Sequence, residues 1–462
     1  MYKTTIGLEI HVQLCTKTKM FCSCSSEFFL ENTSLCEICT AQPGTLPSIN
    51  KEAVLYGSFL ARALHSSLHS TSQFIRKNYR YPDLPKSYQI TQYQKPLASG
   101  GYLTINDKTY TLDRIQLEED SGKLFHEEEH SYLDLNRAGM PLLEIVTEPV
   151  FHTSQEVIEF LKTLHELVTT LGISKGKMQE GHFRCDVNIS LSKTEELGTR
   201  TEIKNLNSFK AIEEAIFFEE KKHKNLLLQK IPIKKETLFF DGSKTISLRD
   251  KDSEEDYRFF IEPDLFFIEN PFLEYSKEHL PELPLERIKK IQEKFSLKEP
   301  EARMLFDSDL YVFFEECLQV FPDSKKAFSY ITNEVMGFLK ETHLNFETTS
   351  LKGSEVGQIL SLMKEEKLLS SQAKELLVYM LAHKKDLSTS LDFFQFTQEI
   401  ISEEDLKKVC LEILHQFPKE VEDYQQGNDR KFTFFVGQVL KHFKGKLSPQ
   451  KISSFLLQIL KK

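Results

Sequence analysis

Hydrophobic and polar residues alternate one by one near the start of the chain. In the segment GLEIHVQL, residues 7–14, apolar side chains occupy every second position, and the polar ones between them are Glu9, His11 and Gln13. Because successive side chains of a β-strand point to opposite faces, this pattern predicts a strand with one buried face and one polar face. The polar face carries an acid beside an imidazole.

The same alternation returns in two later segments, FRCDVNISL at residues 183–191 and RTEIK at residues 200–204. Their polar positions include Arg184 and Asp186, and Glu202 and Lys204, respectively. A single polar strand face most often faces solvent. Taken together, however, these three faces combine Glu, His, Asp and Arg, which favours a role in binding. Carboxylates and imidazole bind divalent metal ions, and Arg or Lys neutralises phosphoryl oxygens. We therefore expect these strands to line a site for metal and phosphate.

Further carboxylates lie in LEED, residues 117–120, and in the apolar run PLLEIV, where Glu144 interrupts a series of hydrophobic side chains. An unpaired carboxylate in an apolar environment costs several kcal/mol, so such a group needs a partner. Glu144 therefore pairs with a base, binds a metal or lies on an exposed strand edge, and the sequence leaves these alternatives open.

The hydrophobic spacing changes along the chain. Strand-like alternation dominates the part before about residue 290, with one helix from the capping sequence Thr153-x-x-Glu156 to Gly172 and another near residues 208–228. From about residue 284 onward, apolar residues recur with helical spacing. A polar stretch at residues 386–390 is predicted to be a linker in this helical half. The chain is therefore predicted to be an α+β protein whose strands come first.

Four of the eight cysteines lie close together, as Cys22-x-Cys24 and Cys36-x-x-Cys39. So few cysteines in a chain of this length do not make a disulfide framework, and their clustering has a local cause. Four thiolates at these spacings fit a closed, tetrahedral structural zinc site. The alternative is that they are small buried hydrophobic residues, but the surrounding SCSS and LCEIC are polar.

Composition and charge are those of a globular protein of 462 residues, with 40% apolar and 28% charged residues. No apolar run approaches the ~20 residues of a spanning helix and no targeting segment is present, so we expect a cytoplasmic protein without membrane contact. The net charge of −10 disfavours indiscriminate binding to nucleic acid, yet after residue 426 eight lysines and arginines accompany one acid. This basic stretch is either an RNA-binding surface or a solvated helix face.

One segment matches the HExxH motif of metalloproteases, because His126 and His130 flank three glutamates at that spacing. That motif needs a helix to bring both imidazoles to one zinc ion, whereas the flanking sequences are typical of strands around a charged turn. We therefore do not predict a protease. The sequence also contains no Walker phosphate loop and no GxGxxG, so if a nucleotide such as ATP is used, its phosphates must be held by metal ions and side chains.

Long segments of the chain together resemble the GatB family, the B subunits of tRNA-dependent amidotransferases. In the family's order, the segments are GLEIHVQL, the four-cysteine region, RKNYRYPDLPKSYQITQY, LEEDSGKL, LNRAGMPLLEIVTEP, EGHFRCDVNISL, GTRTEIKNLNSFKAIEEAI and DYRFFIEPDL. The resemblance covers essentially the whole chain. It implies a glutamine-synthetase-like mixed-sheet cradle domain at residues 1–290, an all-α helical domain at 291–405 and a YqeY-like, tRNA-binding helical tail at 406–462.

The resemblance also implies roles for individual residues. It assigns catalysis and Mg²⁺ binding to Glu9, His11, Glu119, Glu144 and Asp186. The neighbours expected to bind ATP are Lys77, Tyr79, Glu118, Arg184 and Lys204. The expected ligands of structural Zn²⁺ are Cys22, Cys24, Cys36 and Cys39.

The implied reaction is ATP-dependent phosphorylation of the side-chain carboxylate of Glu-tRNA(Gln) or Asp-tRNA(Asn). Ammonia from glutamine then amidates the activated group, giving Gln-tRNA(Gln) or Asn-tRNA(Asn). The implied partners are an amidase, which is the family's A subunit, and a small C subunit, which form a heterotrimer with this chain. The alternative is a non-catalytic tRNA-binding scaffold, but a scaffold has no use for converging acids and an imidazole.

Overall fold

The computed structural model describes residues 2–127, 129–250, 257–265, 267–306, 309–342, 349–394, 403–426, 428, 430–443 and 449–460. The chain forms two compact units, Met1–Pro284 and Leu285–Lys462. The predicted α+β class is confirmed, because all described strands lie in the first unit and the second is helical. The three-domain division at residues 290 and 405 stays a prediction.

The strands belong to one large sheet and three small ones. In chain order they are β1 Lys3–Gln13, β2 Ser67–Leu68, β3 Thr71–Ser72, β4 Phe74–Asn78, β5 Tyr88–Gln92, β6 Ala98–Ser99, β7 Tyr102–Ile105, β8 Lys108–Glu119, β9 Lys123–Glu127, β10 His130–Asp134, β11 Pro141–Thr147, β12 Phe183–Ser192, β13 Thr201–Leu206, β14 Glu236–Phe240, β15 Thr245–Asp250, β16 Phe260–Ile261 and β17 Ile268–Glu269. The large sheet has the order β15-β14-β13-β12-β1-β11-β8-β6-β2, with β7 paired to β8. The others are β9–β10, β16-β4-β5 and β17-β3.

Strand β1 lies in the middle of the large sheet, where it pairs antiparallel with β11 on one side and β12 on the other. Its even-numbered apolar side chains are buried, as the alternation predicts: Ile6, Ile10 and Val12 have no exposed surface. The odd-numbered residues Glu9 and His11 are only partly buried. The sheet therefore has one apolar face in the core and one open polar face.

The helices of the first unit are α1 Lys51–Ala63, α2 Ser154–Thr170, α3 Phe209–Leu228 and α4 Leu273–Glu278. Helix α1 packs on β8 and β11, and α3 packs on β12 and β13. The α2 helix starts where predicted, since the Thr153 side chain accepts a hydrogen bond from Glu156 N. The reciprocal bond differs from an ordinary capping box, because the Glu156 carboxylate accepts from His152 N.

The helices of the second unit are α5 Pro284–Phe295, α6 Glu299–Phe306, α7 Asp309–Val320, α8 Ser324–Tyr330, α9 Met336–Thr342, α10 Gly353–Lys364, α11 Ser370–His383, α12 Leu387–Phe394, α13 Glu403–Gln416, α14 Pro418–Gln425, α15 Arg430–His442 and α16 Pro449–Leu460. A π-helical turn, Ile331–Val335, joins α8 to α9. Their buried apolar side chains form two separate clusters, one between Ile288 and Leu387 and the other between Leu406 and Leu456.

The linker predicted at residues 386–390 is wrong, because α12 begins there. The Asp386 carboxylate accepts a hydrogen bond from Thr389 N at 2.8 Å, which satisfies a free amide of the first turn. Leu387 and Ser390 are buried. A short polar sequence therefore serves as a helix start, which the same residue types also favour.

The basic stretch near the C-terminus is only partly described. Lys431 in α15 pairs with Asp423, with 3.4 Å between Nζ and Oδ2, whereas Lys444, Lys446, Lys461 and Lys462 lie outside the described residues. RNA binding by this stretch stays a prediction. Among the described helices, none combines the length and the apolar character needed to cross a membrane.

Substitution of Phe160 in α2 tests how much aromatic packing contributes to the stability of the first unit. Its side chain is fully buried, and its ring meets Phe151 and Tyr110 edge to face at centroid distances of 5.0 and 5.8 Å. Phe160→Ala leaves a cavity and should lower the free energy of unfolding by about 3–5 kcal/mol. Urea unfolding followed by circular dichroism measures this loss. The control is Phe29→Ala, at a ring that is 97% exposed, and an equal midpoint for both variants would contradict the prediction.

Candidate active site and metal centres

Strand pairing brings the predicted polar residues together on the open face of the large sheet. In the registers of β1 with its neighbours, His11 lies opposite Glu144 and Arg184, and Glu9 lies opposite Asp186. Glu144 is next to Gln116 of β8, and Asn188 is next to Glu202 of β13. Directly opposite residues on one face have Cβ atoms about 4.5–5.5 Å apart, so these side chains are in reach of one another.

His11, Glu118 and Glu144 form the first carboxylate group. The His11 Nε2 lies 3.2 Å from Glu118 Oε1 and 3.8 Å from Glu144 Oε2. Neighbouring polar side chains hold both acids in place: Gln116 donates to Glu144 at 2.9 Å and Thr91 donates to Glu118 at 3.2 Å. One ligand atom from each member of the group lies within 4.8 Å of the others, a spacing that a single cation can bridge.

The pKa values in this group respond to burial and to close charges. Burial opposes the imidazolium form of His11, but the hydrogen bond and charge of Glu118 outweigh it and raise the pKa to about 9. Burial and the Glu118 charge raise the pKa of Glu144 to about 7. Against burial, the contact with His11 lowers the pKa of Glu118 to about 2. The two carboxylates therefore stabilise the protonated form of His11, and His11 in turn stabilises the charged form of Glu118.

Glu9, Asp186 and Glu202 form a second carboxylate group beside the first. Their oxygens also come within 4.8 Å of one another. The Lys204 ammonium lies 3.0 Å from Asp186 Oδ2 and 3.6 Å from Glu202 Oε1. Burial disfavours its charge, but these carboxylates raise the pKa of Lys204 above its usual value. Asn188 donates to Glu9 at 3.0 Å, so each acid of this group has a polar contact among the described residues.

Glu119 lies apart from both groups. Its carboxylate forms an ion pair with Lys86 and accepts a hydrogen bond from Ile90 N at 3.0 Å. The adjacent Glu118 contacts His11 instead, because consecutive residues of a strand point to opposite faces. A metal-ligand role for Glu119 stays a prediction, and in this structure the position beside His11 is taken by Glu118.

The predicted cations and the tyrosine surround the acids. Arg184 donates through Nη2 to Asp120 at 2.8 Å, while its buried Nε has no hydrogen-bond partner among the described residues. The Lys77 ammonium lies 4.9 Å from the centroid of the Tyr257 ring, which Tyr79 meets edge to face. A guanidinium with a free N–H and a nearby ammonium suit an anionic ligand such as a phosphoryl group.

The four cysteines converge as the sequence predicts. Their sulfur atoms lie within 4.8 Å of one another, with 4.0 Å between Cys24 and Cys39 and 3.9 Å between Cys36 and Cys39. Tetrahedral coordination with Zn–S bonds of about 2.3 Å requires sulfur atoms about 3.8 Å apart. The cluster therefore has the dimensions of a four-thiolate zinc site.

The surroundings of Cys39 favour the thiolate form that a metal needs. A hydrogen bond from Cys22 lowers the pKa of Cys39 to about 4. Lys19, whose side chain is fully buried, places its ammonium 3.7 Å from Cys39 Sγ. The Cys36 backbone N–H also donates to this sulfur, at 3.3 Å. N–H groups around a ligand sulfur are typical of the outer shell of a metal site.

The HExxH segment at residues 126–130 lies on a β-hairpin, as its flanking sequences predict. His126 belongs to β9 and His130 to β10, and His126 pairs with Ser131 across the two strands. Glu128 lies outside the described residues. Neither histidine belongs to a group of possible metal ligands in the part of the chain that is described. A hairpin does not place the two imidazoles as one helical turn does.

Two family models match the chain. The GatB/GatE catalytic domain matches residues 4–271 and the GatB domain matches residues 312–460. The chain belongs to the GatB family. Among its relatives is the B subunit of the aspartyl/glutamyl-tRNA(Asn/Gln) amidotransferase of Persephonella marina, 38% identical over the full length of both chains. Those of Legionella pneumophila and Thermotoga neapolitana are each 39% identical, over 98% and 99% of both chains.

Some residues of the GatB site were not among the predicted site residues. Glu202 completes the second carboxylate group, Asp120 holds Arg184 and Lys86 pairs with Glu119. For Glu202 a signal existed, because it alternates with apolar residues in RTEIK. Asp120 likewise adjoins the acids of LEED. Lys86 had no such signal, since its partner is 33 positions away and only the fold brings them together.

Substitution of Glu118 tests which acid controls His11. In protein treated with EDTA, Glu118→Gln removes the contact that raises the pKa of His11 while burial still lowers it. The pKa of His11 should therefore fall clearly from about 9, although the charge of Glu144 still raises it, and NMR of labelled histidine measures the change. Glu119→Gln is the matched control, because Glu119 pairs with Lys86. An unchanged His11 pKa in Glu118→Gln would refute the pairing.

Proposed function

We propose that this chain is the B subunit of a tRNA-dependent amidotransferase, a ligase that forms carbon–nitrogen bonds. It phosphorylates the side-chain carboxylate of Glu-tRNA(Gln) or Asp-tRNA(Asn) with ATP and so prepares it for amidation. The observation that carries the proposal is that two carboxylate groups share strand β1 on one open sheet face. The names of the relatives, which are B subunits of amidotransferases, support the same reaction.

The two carboxylate groups fit Mg²⁺, which prefers oxygen ligands and often binds a substrate phosphate as well. The residues that would hold the ions are His11, Glu118 and Glu144 in the first group, and Glu9, Asp186 and Glu202 in the second. When bound there, Mg²⁺ would neutralise charge on the phosphoryl group. We propose Glu118 as the ligand of the first group because its carboxylate is the one beside His11, while the ligand role that the sequence resemblance gives to Glu119 stays a prediction.

The chain's own cations complete the phosphate site. Arg184 offers its free Nε–H to a phosphoryl oxygen, and Asp120 fixes the guanidinium at 2.8 Å. Lys77 and Lys204 add positive charge near the acids. These groups hold the phosphoryl donor in line with the attacking carboxylate, and alignment of this kind lowers the barrier to transfer.

The reaction has two steps. An oxygen of the tRNA-linked carboxylate attacks the γ-phosphorus of ATP, the bond to ADP breaks, and an acyl phosphate forms. Ammonia then attacks the acyl carbon, phosphate leaves, and the nitrogen loses a proton to give the amide. The amidase partner supplies the ammonia from glutamine, and a small third subunit completes the heterotrimer. Because its substrate is mischarged tRNA, we place the enzyme in the cytoplasm.

Glu118→Gln tests catalysis by this site. Removal of one carboxylate weakens metal binding and the positioning of the phosphoryl group, so ATP-dependent amidation should fall by about 10²-fold or more. The assay is conversion of Glu-tRNA(Gln) and Asp-tRNA(Asn) by the full assembly with Mg²⁺, beside a measurement of tRNA affinity, which should not change.

Glu195→Gln is the control, since its carboxylate is exposed and pairs only with Lys3 in the described part of the chain. Full activity of Glu118→Gln would overturn the proposed site. Absence of any amidation by the unaltered assembly, with tRNA binding intact, would favour the scaffold alternative.

We also propose that the four-cysteine cluster binds one structural Zn²⁺. Metal analysis should find about one zinc per chain, and replacing Cys36 and Cys39 with Ser should remove it and destabilise the protein. Cys15→Ser is the control, because Cys15 lies outside the cluster and donates instead to Gly172 O at 3.0 Å. A stable, zinc-free protein would contradict this proposal.

A further inference from the structure

Helix α3 carries two ionisable side chains on the face that it buries against the large sheet. The buried stripe of this helix continues from Ile216 through Glu219 to His223. Glu219 and His223 have no exposed surface. Apolar side chains at these positions would pack the helix without the cost of burying polar groups, so stability alone does not account for this pair. Neither residue belongs to the candidate site described above.

The two side chains form a hydrogen-bonded cluster with hydroxyl groups of the sheet. The His223 Nε2 lies 3.1 Å from Glu219 Oε1 and 3.1 Å from Thr201 Oγ1. Thr245 donates to Glu219 Oε2 at 2.6 Å, and Lys222 donates to the same oxygen at 3.3 Å. Burial opposes the charge of Glu219, but the hydrogen bonds from His223 and Thr245 outweigh it and lower the pKa of Glu219. The helix therefore contacts β13 through Thr201 and β15 through Thr245.

Thr201 connects this cluster to the second carboxylate group, because it directly precedes Glu202 on β13. Consecutive side chains of a strand point to opposite faces, so Thr201 projects toward α3 and Glu202 toward the open face. The register agrees, since Thr201 pairs with the buried Ile189 and Glu202 pairs with Asn188. The hydrogen bond to Thr201 thus restrains the residue next to a candidate metal ligand.

Strand pairing alone holds β13 less regularly than it holds β1. The ladder between β13 and β12 is interrupted by a register shift, and the pairing of β13 with β14 is short and parallel, an arrangement slightly less stable per residue than an antiparallel one. Helix α3 adds a second connection. Its Glu220 accepts a hydrogen bond from Thr4 of β1 at 2.7 Å, so one helix contacts both the strand of Glu9 and the strand of Glu202.

We propose that Glu219 and His223 are positioning residues for the second carboxylate group. They hold β13 from the buried face of the sheet, so that the Glu202 carboxylate stays in reach of the other two acids on the open face. The inference rests on the proposed function, because it assumes that this group binds a divalent cation. It gives the two buried side chains a role that packing alone does not require.

Replacement of His223 tests this role through metal affinity. His223→Leu removes the contact with Thr201, whereas the amide nitrogen of His223→Gln can donate in place of Nε2. Changes around metal ligands cost about 10–100-fold in affinity, so His223→Leu should weaken one of two cation sites about tenfold, and His223→Gln should retain most of that affinity. The probe is Mn²⁺, which binds the same oxygen ligands as Mg²⁺. Electron paramagnetic resonance of the full assembly without nucleotide measures both sites.

Ile216→Ala is the matched control for stability, because this side chain is fully buried on the same face of α3. It leaves a cavity and removes no hydrogen bond of the cluster, so it should lower the unfolding midpoint while both Mn²⁺ sites keep their affinity. Thr201→Val provides a second test where His223→Leu fails to fold, since it deletes only the hydroxyl group. It should weaken the same Mn²⁺ site several-fold.

Several outcomes would overturn the inference. Equal losses of Mn²⁺ affinity in His223→Leu and Ile216→Ala would mean a general effect of stability, and equal losses in His223→Leu and His223→Gln would mean that the hydrogen bond is not what matters. Unchanged affinity in His223→Leu and Thr201→Val, or an unaltered assembly that binds fewer than two ions, would also refute it. Failure of the proposed function looks different: the Mn²⁺ sites respond as expected, but the unaltered assembly amidates no tRNA with ATP.

Discussion

The pairing register of β1 between β11 and β12 is the constraint on which the site depends. It places Glu9 opposite Asp186 and His11 opposite Glu144, and it buries Ile6, Ile10 and Val12 on the other face. A shift by one residue would send the apolar side chains to the open face and the acids into the core. The cost of burying acids therefore fixes the register, so the packing of the core also aligns the chemistry.

The acids gathered by this register repel one another. Two unit charges 4 Å apart near a protein surface interact by about 4 kcal/mol, which is large beside the stability of a whole domain. Part of the cost is offset by Lys204 and by the protonated His11, and part is avoided because the pKa of Glu144 rises to about 7. These compensations offset only part of the repulsion, so bound cations would stabilise this face of the sheet further. The fold thus holds together a set of acids whose mutual repulsion is costly.

The sequence predicted more of the elements than of the contacts between them. Alternation identified the polar faces of β1, β12 and β13, and the capping residue Thr153 located the start of α2. It did not distinguish Glu118 from Glu119, because two adjacent acids at the end of a strand look alike until the pairing of β8 shows which one faces His11. The polar residues 386–390 were mistaken for a linker because capping and loop formation favour the same side chains. Long-range partners such as Lys86 depend on the whole fold.

The main chain at Gly139 lies between the cysteine cluster and the end of β8. The N–H of Gly139 donates a hydrogen bond to Asp120 O at 2.9 Å, and its carbonyl accepts one from Met20 N at 2.8 Å. A Cβ at this position would lie 3.7 Å from Cys39 Cβ and 3.8 Å from Glu119 Oε2. The cysteine cluster and the end of β8 therefore both pack against the main chain at Gly139. Because β8 also carries Glu118, the cysteine loop, which looks peripheral in the sequence, lies directly against the end of a strand that lines the candidate site.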